Sequence, residues 1–310
     1  MELLQLRDLS KYFSTGKHVV KAVDGVTLTV ESGKTLGLVG ESGCGKSTTG
    51  RLMLGINKPT SGEIRFKGRN IHSLSKVDKK RYHHSVQMVF QDPYSSLDPR
   101  MTVENIIAEG MDVQGTVSGQ ERRDRVLDLV QRVGLRKDQL TRFPHEFSGG
   151  QRQRIGIARA LAVNPELIIA DEPISALDVS IQAQVMTLLQ SLQADFGLSY
   201  VFISHDLAMV EYISDVVAVM YLGKIVEYGS RQEIYDHPQH PYTRTLMSAV
   251  PVIGKKADRI RLTGDVPSPT NLPKGCRFHT RCPFAEERCS REQPELKGNP
   301  GHLVACHLVN

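Results

Sequence analysis

The chain has 310 residues, 40% of them hydrophobic and 24% charged, with a formal net charge of +5 at pH 7. This describes a globular protein with ample material for a core, built as one large domain with an appendage or as two domains, and the mild basicity is too weak to imply nucleic acid as a partner. No stretch approaches the ~18 apolar residues of a membrane helix and residues 1–10 lack a signal-peptide core, so a cytosolic location is expected, with any membrane role exerted through a partner.

In chain order, residues 3–9 and 23–30 read as strands, the second alternating through Val26, Leu28 and Val30. Lys11-Tyr12-Phe13 lies between them. The apolar run 35–39 reads as a buried strand and leads into Gly40-Glu41-Ser42-Gly43-Cys44-Gly45-Lys46-Ser47, of the form G-x-x-x-x-G-K-S. Residues 48–56 begin with Thr48 and carry Leu52, Met53 and Ile56 at helical spacing. Strand, glycine turn and helix together cradle phosphate. Glycines let backbone N–H groups turn inward where a Cβ would clash, and the helix start adds partial positive charge. Lys46 suits the β- and γ-phosphates of a nucleotide, and Ser47 suits its magnesium.

A turn at 58–62 and a short strand at 63–67 follow, and the apolar strand 86–90 ends at Gln91. Then the character changes. Pro93, Ser95, Ser96 and Pro99 make an irregular loop, and 103–111 and 121–133 read as amphipathic helices, with Val126, Leu129, Val130 and Val133 on one face. Residues of about 92–163 are read as a helical subdomain inserted into an α/β core. Ser148-Gly149-Gly150-Gln151 fits a capping box opening a further helix that Pro165 ends. The strand 167–170 runs straight into Asp171 and Glu172. A helix at 179–196, a strand at 199–203 ending in Ser204-His205-Asp206, and a hairpin of 216–220 with 224–228 complete the pattern. Strands alternating with helices predict a mostly parallel sheet with ligand groups at the carboxyl ends of its strands. Gly40, Gln91, Asp171 and His205 all come at or just after such ends. Beyond residue 230 the chain turns to Pro, Arg and Cys, which sets a boundary there.

Asp171, ending a buried strand, is where a P-loop protein places a carboxylate that supports magnesium. Glu172 can polarise a water for attack on the γ-phosphate. The helix start at Ser148 is a second anion site. Both helix starts serve one nucleotide only if they come from different chains, or if one is idle.

With these motifs in order, residues 1–230 resemble the ATPase subunit of an ABC transporter: Gly40–Ser47 (Walker A), Gln91 (Q-loop), Ser148–Gln151 (signature), Asp171 and Glu172 (Walker B), Ser175-Ala176-Leu177-Asp178 (D-loop) and His205 (switch histidine). Phe147 stands where the family usually has leucine. The resemblance implies an α/β fold: a P-loop NTPase core with an N-terminal antiparallel β subdomain, an inserted α-helical subdomain and a C-terminal cysteine-rich extension over 231–310. It implies ATP and Mg²⁺ as ligands, with Gly40, Glu41, Ser42, Gly43, Cys44, Gly45, Lys46, Ser47 and Thr48 around the phosphates. Phe13, or the adjacent Tyr12, stacks on adenine. Ser47, Gln91 and Asp171 serve magnesium, and Glu172, His205, Gln91 and Lys46 serve hydrolysis. Ser148 and Gly150 cap the γ-phosphate of ATP held by the opposite subunit, with Asp178 in the D-loop beside them. ATP thereby glues a head-to-tail dimer that hydrolysis releases.

His240-Pro241-Tyr242-Thr243, Leu246, Ala249-Val250-Pro251 and the cysteine-rich tail resemble the extension of oligopeptide and dipeptide importer ATPases, as does Gln91-Asp92-Pro93-Tyr94-Ser95-Ser96-Leu97. That branch implies two transmembrane permease subunits, a second, homologous ATPase, an extracytoplasmic substrate-binding protein, and a place on the cytoplasmic face of the inner membrane. Related systems carry nickel, glutathione or haem-like cargo, and no residue here reads the cargo. Cys276, Cys282, Cys289 and Cys306 follow C-x5-C-x6-C-x16-C, which is neither the paired C-x2-C of common zinc modules nor the run of bacterial ferredoxins. Placed on loops, four thiolates suit tetrahedral zinc or an iron–sulfur cluster; the resemblance favours 4Fe–4S, as a structural site. Two other readings compete: a soluble ABC-type ATPase of translation or repair, and an interaction subunit that binds ATP without hydrolysis. One P-loop without a long coiled-coil insertion argues against the first. Intact Glu172, His205 and Gly149-Gly150 argue against the second.

Overall fold

The computed structural model describes residues 1–16, 18–115, 117–249, 264–299 and 301–309. The chain divides into two compact units, residues 1–73 with 202–310, and residues 74–201.

The first unit opens on a long antiparallel hairpin of β1 (Glu2–Thr15) and β2 (His18–Glu31). Both strands run farther than the alternation of 3–9 and 23–30 predicts. Register shifts between Leu6 and Leu9, and again around Lys11, reset which face each residue takes. β3 (Thr35–Val39) is buried along its whole length, as a continuous apolar run requires, and α1 (Lys46–Met53) starts on the P-loop lysine. β4 (Ser61–Phe66) and β5 (Arg69–Asn70) complete an antiparallel sheet ordered β2-β1-β4-β5. Leu4, Leu6, Leu9, Val26, Leu28 and Ile64 form its core face.

The second unit begins with α2 (Lys76–Ser85), capped by Ser75 accepting from the Asp78 N–H at 3.1 Å. Only Tyr82 of this helix is buried, so no apolar stripe marked it in the sequence. Then come β6 (Val86–Val89), α3 (Val103–Gln114), α4 (Gly119–Arg132), α5 (Gly149–Leu161), β7 (Leu167–Asp171) and α6 (Val179–Phe196). Ile106, Met111, Val126, Leu129, Val130 and Ile155 are buried on the inner faces of α3, α4 and α5. Arg122 of α4 ties to α3 through Asp112 at 2.7 Å and Glu104 at 3.2 Å. β6 and β7 pair in parallel, Gln87 opposite Ile168 and Val89 opposite Ala170. Parallel register brings both strands out at the same end, where Gln91 and Glu172 follow.

β8 (Ser199–Ser204) divides between the units. The first unit then resumes with α7 (Leu207–Ile213), β9 (Val216–Tyr221), β10 (Lys224–Ser230), α8 (Arg231–Asp236), α9 (Pro241–Ser248), α10 (Glu287–Arg291), β11 (Lys297–Asn299) and β12 (His302–Val304). β9 lies parallel to β3, and β10 turns back antiparallel on β9. β12 then adds antiparallel to β10, with Tyr228 opposite Leu303, and β11 adds to β12. The tail thus continues the sheet that carries the P-loop strand. Glu227, fully buried on β10, anchors it there. Its carboxylate accepts from the Gln239 and His240 backbone N–H groups at 2.7 and 3.0 Å and meets His302 Nε2 of β12 at 2.7 Å. A buried carboxylate persists only with such partners. Val250 and Pro251 of the tail pattern lie outside the described residues.

Candidate functional site

In the first unit, the buried strand β3 delivers the loop 40–45 to the start of α1. Gly45 caps the helix at φ 113°, and a Cβ there would stand 2.1 Å from the Ala22 carbonyl oxygen, so only glycine fits. Lys46 is only 4% exposed. Its Nζ donates to the carbonyl oxygens of Gly40 at 2.7 Å and Glu41 at 3.1 Å, folding the ammonium back over the loop. Ser47 and Thr48 sit half-buried in the first turn of α1, and Ser42 and Gly43 are exposed at the tip of the loop. The Cys44 side chain is buried, which pushes its thiol up, and its carbonyl accepts from the Gly223 N–H at 2.8 Å.

The two aromatics of β1 differ. Phe13 is 37% exposed, with Lys11 Nζ 5.1 Å from its ring centre. Tyr12 is committed by its hydroxyl, which donates to Asp24 Oδ1 at 2.5 Å. His205 follows β8 and is exposed. Asp206 beside it caps α7 through the Ala208 and Met209 N–H groups at 3.0 and 3.2 Å.

In the second unit, Asp171 closes β7 and is 4% exposed. Glu172 takes a left-handed φ of 47°, a conformation a non-glycine residue holds only under constraint. Gln91 Nε2 donates to Glu172 Oε2 at 3.0 Å, so these two predicted residues do meet. Ser148 caps α5 as its spacing predicts: its Oγ accepts from the Gln151 N–H at 3.4 Å while Gln151 Oε1 accepts from the Ser148 N–H at 3.0 Å. A Cβ on Gly150 would lie 2.4 Å from Ile181 Cγ2, so the glycine lets α5 approach α6. Asp178 is the N-cap of α6 and is exposed. Tyr12, Phe13, residues 40–48 and His205 therefore belong to one unit, and Gln91, Ser148, Gly150, Asp171, Glu172 and Asp178 to the other.

Residues that no motif announced also reach the loop. Arg281 donates to both carboxylate oxygens of Glu41, and the Tyr242 hydroxyl accepts from the Glu41 N–H. Arg277 donates to Asp24 and to the Leu222 carbonyl. More than 200 residues separate the partners in the Arg281–Glu41 and Tyr242–Glu41 pairs, so no local pattern could have revealed them.

A family model described as ABC transporter matches residues 23–175, and one described as the oligopeptide/dipeptide transporter C-terminal region matches residues 226–289. The chain is 55% identical to the oligopeptide transport ATP-binding protein AppF of Bacillus subtilis, over 99% of this chain and 98% of that one. It is 49% identical to the dipeptide transport ATP-binding protein DppF of Haemophilus influenzae, over 99% and 97%. Among solved structures it is similar to the ATP-binding cassette MJ0796 in a dimeric post-hydrolysis state bound to ADP and Pi, with 28% identity, a TM-score of 0.68, and coverage of 74% of this chain and 99% of that one. It is equally similar to cbiO1 from Clostridium perfringens, part of the ABC transporter complex cbiONQ, with 29% identity, a TM-score of 0.68, and coverage of 76% and 91%.

The cysteine site needs correction. Among the described residues no three His, Cys, Asp or Glu side chains form a group that could hold a metal ion, and the relatives above are named as ATP-binding proteins. Neither the 4Fe–4S cluster nor the zinc alternative expected at Cys276, Cys282, Cys289 and Cys306 is supported. The physical reason is that spacing along a chain does not fix where its side chains point: Cys276 and Cys282 end half-buried and Cys289 and Cys306 buried, and burial raises the thiols of Cys276, Cys282 and Cys306 above their ordinary value. All four carry free thiols. Three lie on loops as expected, but Cys289 is on α10, where its carbonyl accepts from the Cys276 N–H at 2.8 Å. With a P-loop of the required geometry, a paired Gln91 and Glu172, and similarity along its whole length, this chain belongs to the ATP-binding subunits of ABC transporters, in the oligopeptide and dipeptide branch.

Proposed function

We propose that this chain hydrolyses ATP to power the import of dipeptides or oligopeptides through a membrane ABC transporter. The observation that carries the reading is that one chain joins the ABC ATPase region to the C-terminal region of peptide transporters, in the same arrangement as its relatives. In this reading residues 1–230 are the ATPase domain, with inserted helices over about 92–163, and 231–310 are the extension.

Family membership supports the following roles. Phe13, whose ring is exposed, stacks on adenine, since the Tyr12 hydroxyl is engaged by Asp24. The loop 40–48 wraps the phosphates, and the Lys46 ammonium moves from the Gly40 and Glu41 carbonyls to phosphate oxygens. The hydroxyl of Ser47, the carboxylate of Asp171 and the amide of Gln91 are hard oxygen donors of the kind magnesium takes; the ion would neutralise phosphate charge. Glu172 accepts a proton from the attacking water, with Gln91 holding its carboxylate, and His205 contacts the γ-phosphate. Ser148 and Gly150 serve the ATP of a second, homologous ATPase, with Asp178 in the adjoining loop.

Two permease subunits and an extracytoplasmic binding protein complete the proposed assembly, and this chain works at the cytoplasmic face of the membrane. Among the described residues no helix is long and apolar enough to cross a membrane. The test is reconstitution with the permeases and partner ATPase in liposomes. Peptide-loaded binding protein should stimulate ATP hydrolysis severalfold, with peptide accumulation. Stimulation by nickel, glutathione or haem alone would overturn the peptide assignment.

A further inference from the structure

Position 41, inside the phosphate loop, is gripped twice from the C-terminal extension, once by its side chain and once by its backbone. Arg281 Nη1 and Nη2 donate to Glu41 Oε2 at 2.8 Å and Oε1 at 3.1 Å, a fork-on-carboxylate pair. Arg281 is only 9% exposed. Burial pulls its pKa down, but the Glu41 hydrogen bonds outweigh that and raise it, so the charge is secure. The Glu41 N–H donates to the Tyr242 hydroxyl at 2.9 Å. That hydroxyl is fixed in turn because Tyr242, Tyr221 and Phe278 pack with ring centres 4.7 to 5.4 Å apart and Tyr242 is fully buried. The Glu41 carbonyl is one of the two that hold Lys46. A continuous chain of contacts therefore runs from α9 and the segment around 281, through Glu41, to the ammonium of the P-loop lysine.

We propose that Arg281 and Tyr242 are positioning residues for nucleotide binding, holding the phosphate loop in its receptive shape from the C-terminal extension. A loop with two exposed residues at its tip, Ser42 and Gly43, needs such support. Without it the loop samples other conformations, and binding pays to reorder it. The extension is thus a working part of the ATP site. This inference rests on the ATP-binding reading above.

The test measures binding of N-methylanthraniloyl-ATP to the purified full chain, with thermal unfolding recorded for each variant. Tyr242→Phe keeps the ring packing and deletes one hydrogen bond; it should weaken binding by about threefold to tenfold, the weight of one such bond, with Tm nearly unchanged. Arg281→Ala and Glu41→Gln should each weaken binding by about tenfold or more. The double variant should be no weaker than the worse single one, since both cut one link. Arg281→Lys should recover part of the affinity. In the assembled transporter KM for ATP should rise while kcat stays within about twofold, the sign of a binding-stage defect. Wild-type affinity in folded Tyr242→Phe and Arg281→Lys overturns the proposal, as do fully multiplicative losses in the double variant. Should Arg281→Ala not fold, Tyr242→Phe and Arg281→Lys decide. Failure of the wild-type chain to bind the analogue would instead refute the ATP reading itself.

Discussion

Gln91 and Glu172, from the ends of two adjacent parallel strands, share a hydrogen bond of 3.0 Å from Nε2 to Oε2. The amide donates to one oxygen of the carboxylate that the proposed mechanism uses as the proton acceptor. Glu172→Gln keeps the shape and removes that capacity. Turnover in the assembled transporter should drop by about 10²- to 10⁴-fold, as loss of a general base does, with ATP still bound and the dimer accumulating. Near wild-type hydrolysis by this variant would mean that another group is the base.

Lys46→Ala removes a buried ammonium that donates to two loop carbonyls. Those carbonyls lose their donor, and in the proposed reading the phosphates lose a positive charge. Calorimetric titration with ATP should show binding weakened beyond measurement while the fold melts within a few degrees of wild type. Retained micromolar binding would contradict the role given to this lysine.

Ser148 caps α5 and anchors a reciprocal pair with Gln151. Ser148→Arg should cost about 1 kcal/mol of stability through the lost cap. In the proposed head-to-tail dimer it should also block closure over the partner's ATP. The isolated subunit should bind ATP as wild type does, while ATP-dependent dimerisation, followed by light scattering, disappears. Equal loss of binding in the isolated chain would place the signature in its own site.

His240 is fully buried, and its Nδ1 accepts from the Tyr242 N–H at 3.0 Å. Burial drives its pKa to about 3, from an ordinary 6.5. Between these values the unfolded chain binds a proton that the fold refuses. Stability therefore rises with pH through this window and is lost as pH falls below 6.5, by about 1.4 kcal/mol per unit from this residue. Urea unfolding at pH 6.5 and 5 should differ by about 2 kcal/mol more in wild type than in His240→Asn, which keeps an acceptor but cannot titrate. Parallel slopes in the two proteins would show that His240 does not set the acid limit.

By itself the sequence determined the P-loop, the strands and helices around it, and the cap at Ser148, because these are local. A glycine turn between a buried strand and a helix, an apolar run of strand length, and a serine three residues before a glutamine each act over a few residues. It left α2 unseen, since that helix buries only Tyr82 and so shows no periodic stripe. It also understated β1 and β2, whose bulges interrupt the alternation. Tertiary structure decided two further matters. Four cysteines at suggestive spacings form no metal-holding group among the described residues, two of them buried and two half-buried, because spacing along a chain fixes neither the direction of a side chain nor its solvation. The extension, whose family resemblance was legible but whose packing was not, proved to continue the P-loop's sheet through β12 and to grip Glu41 through Arg281 and Tyr242. Contacts across more than 200 residues arise only when the chain folds back on itself, and no local pattern encodes them.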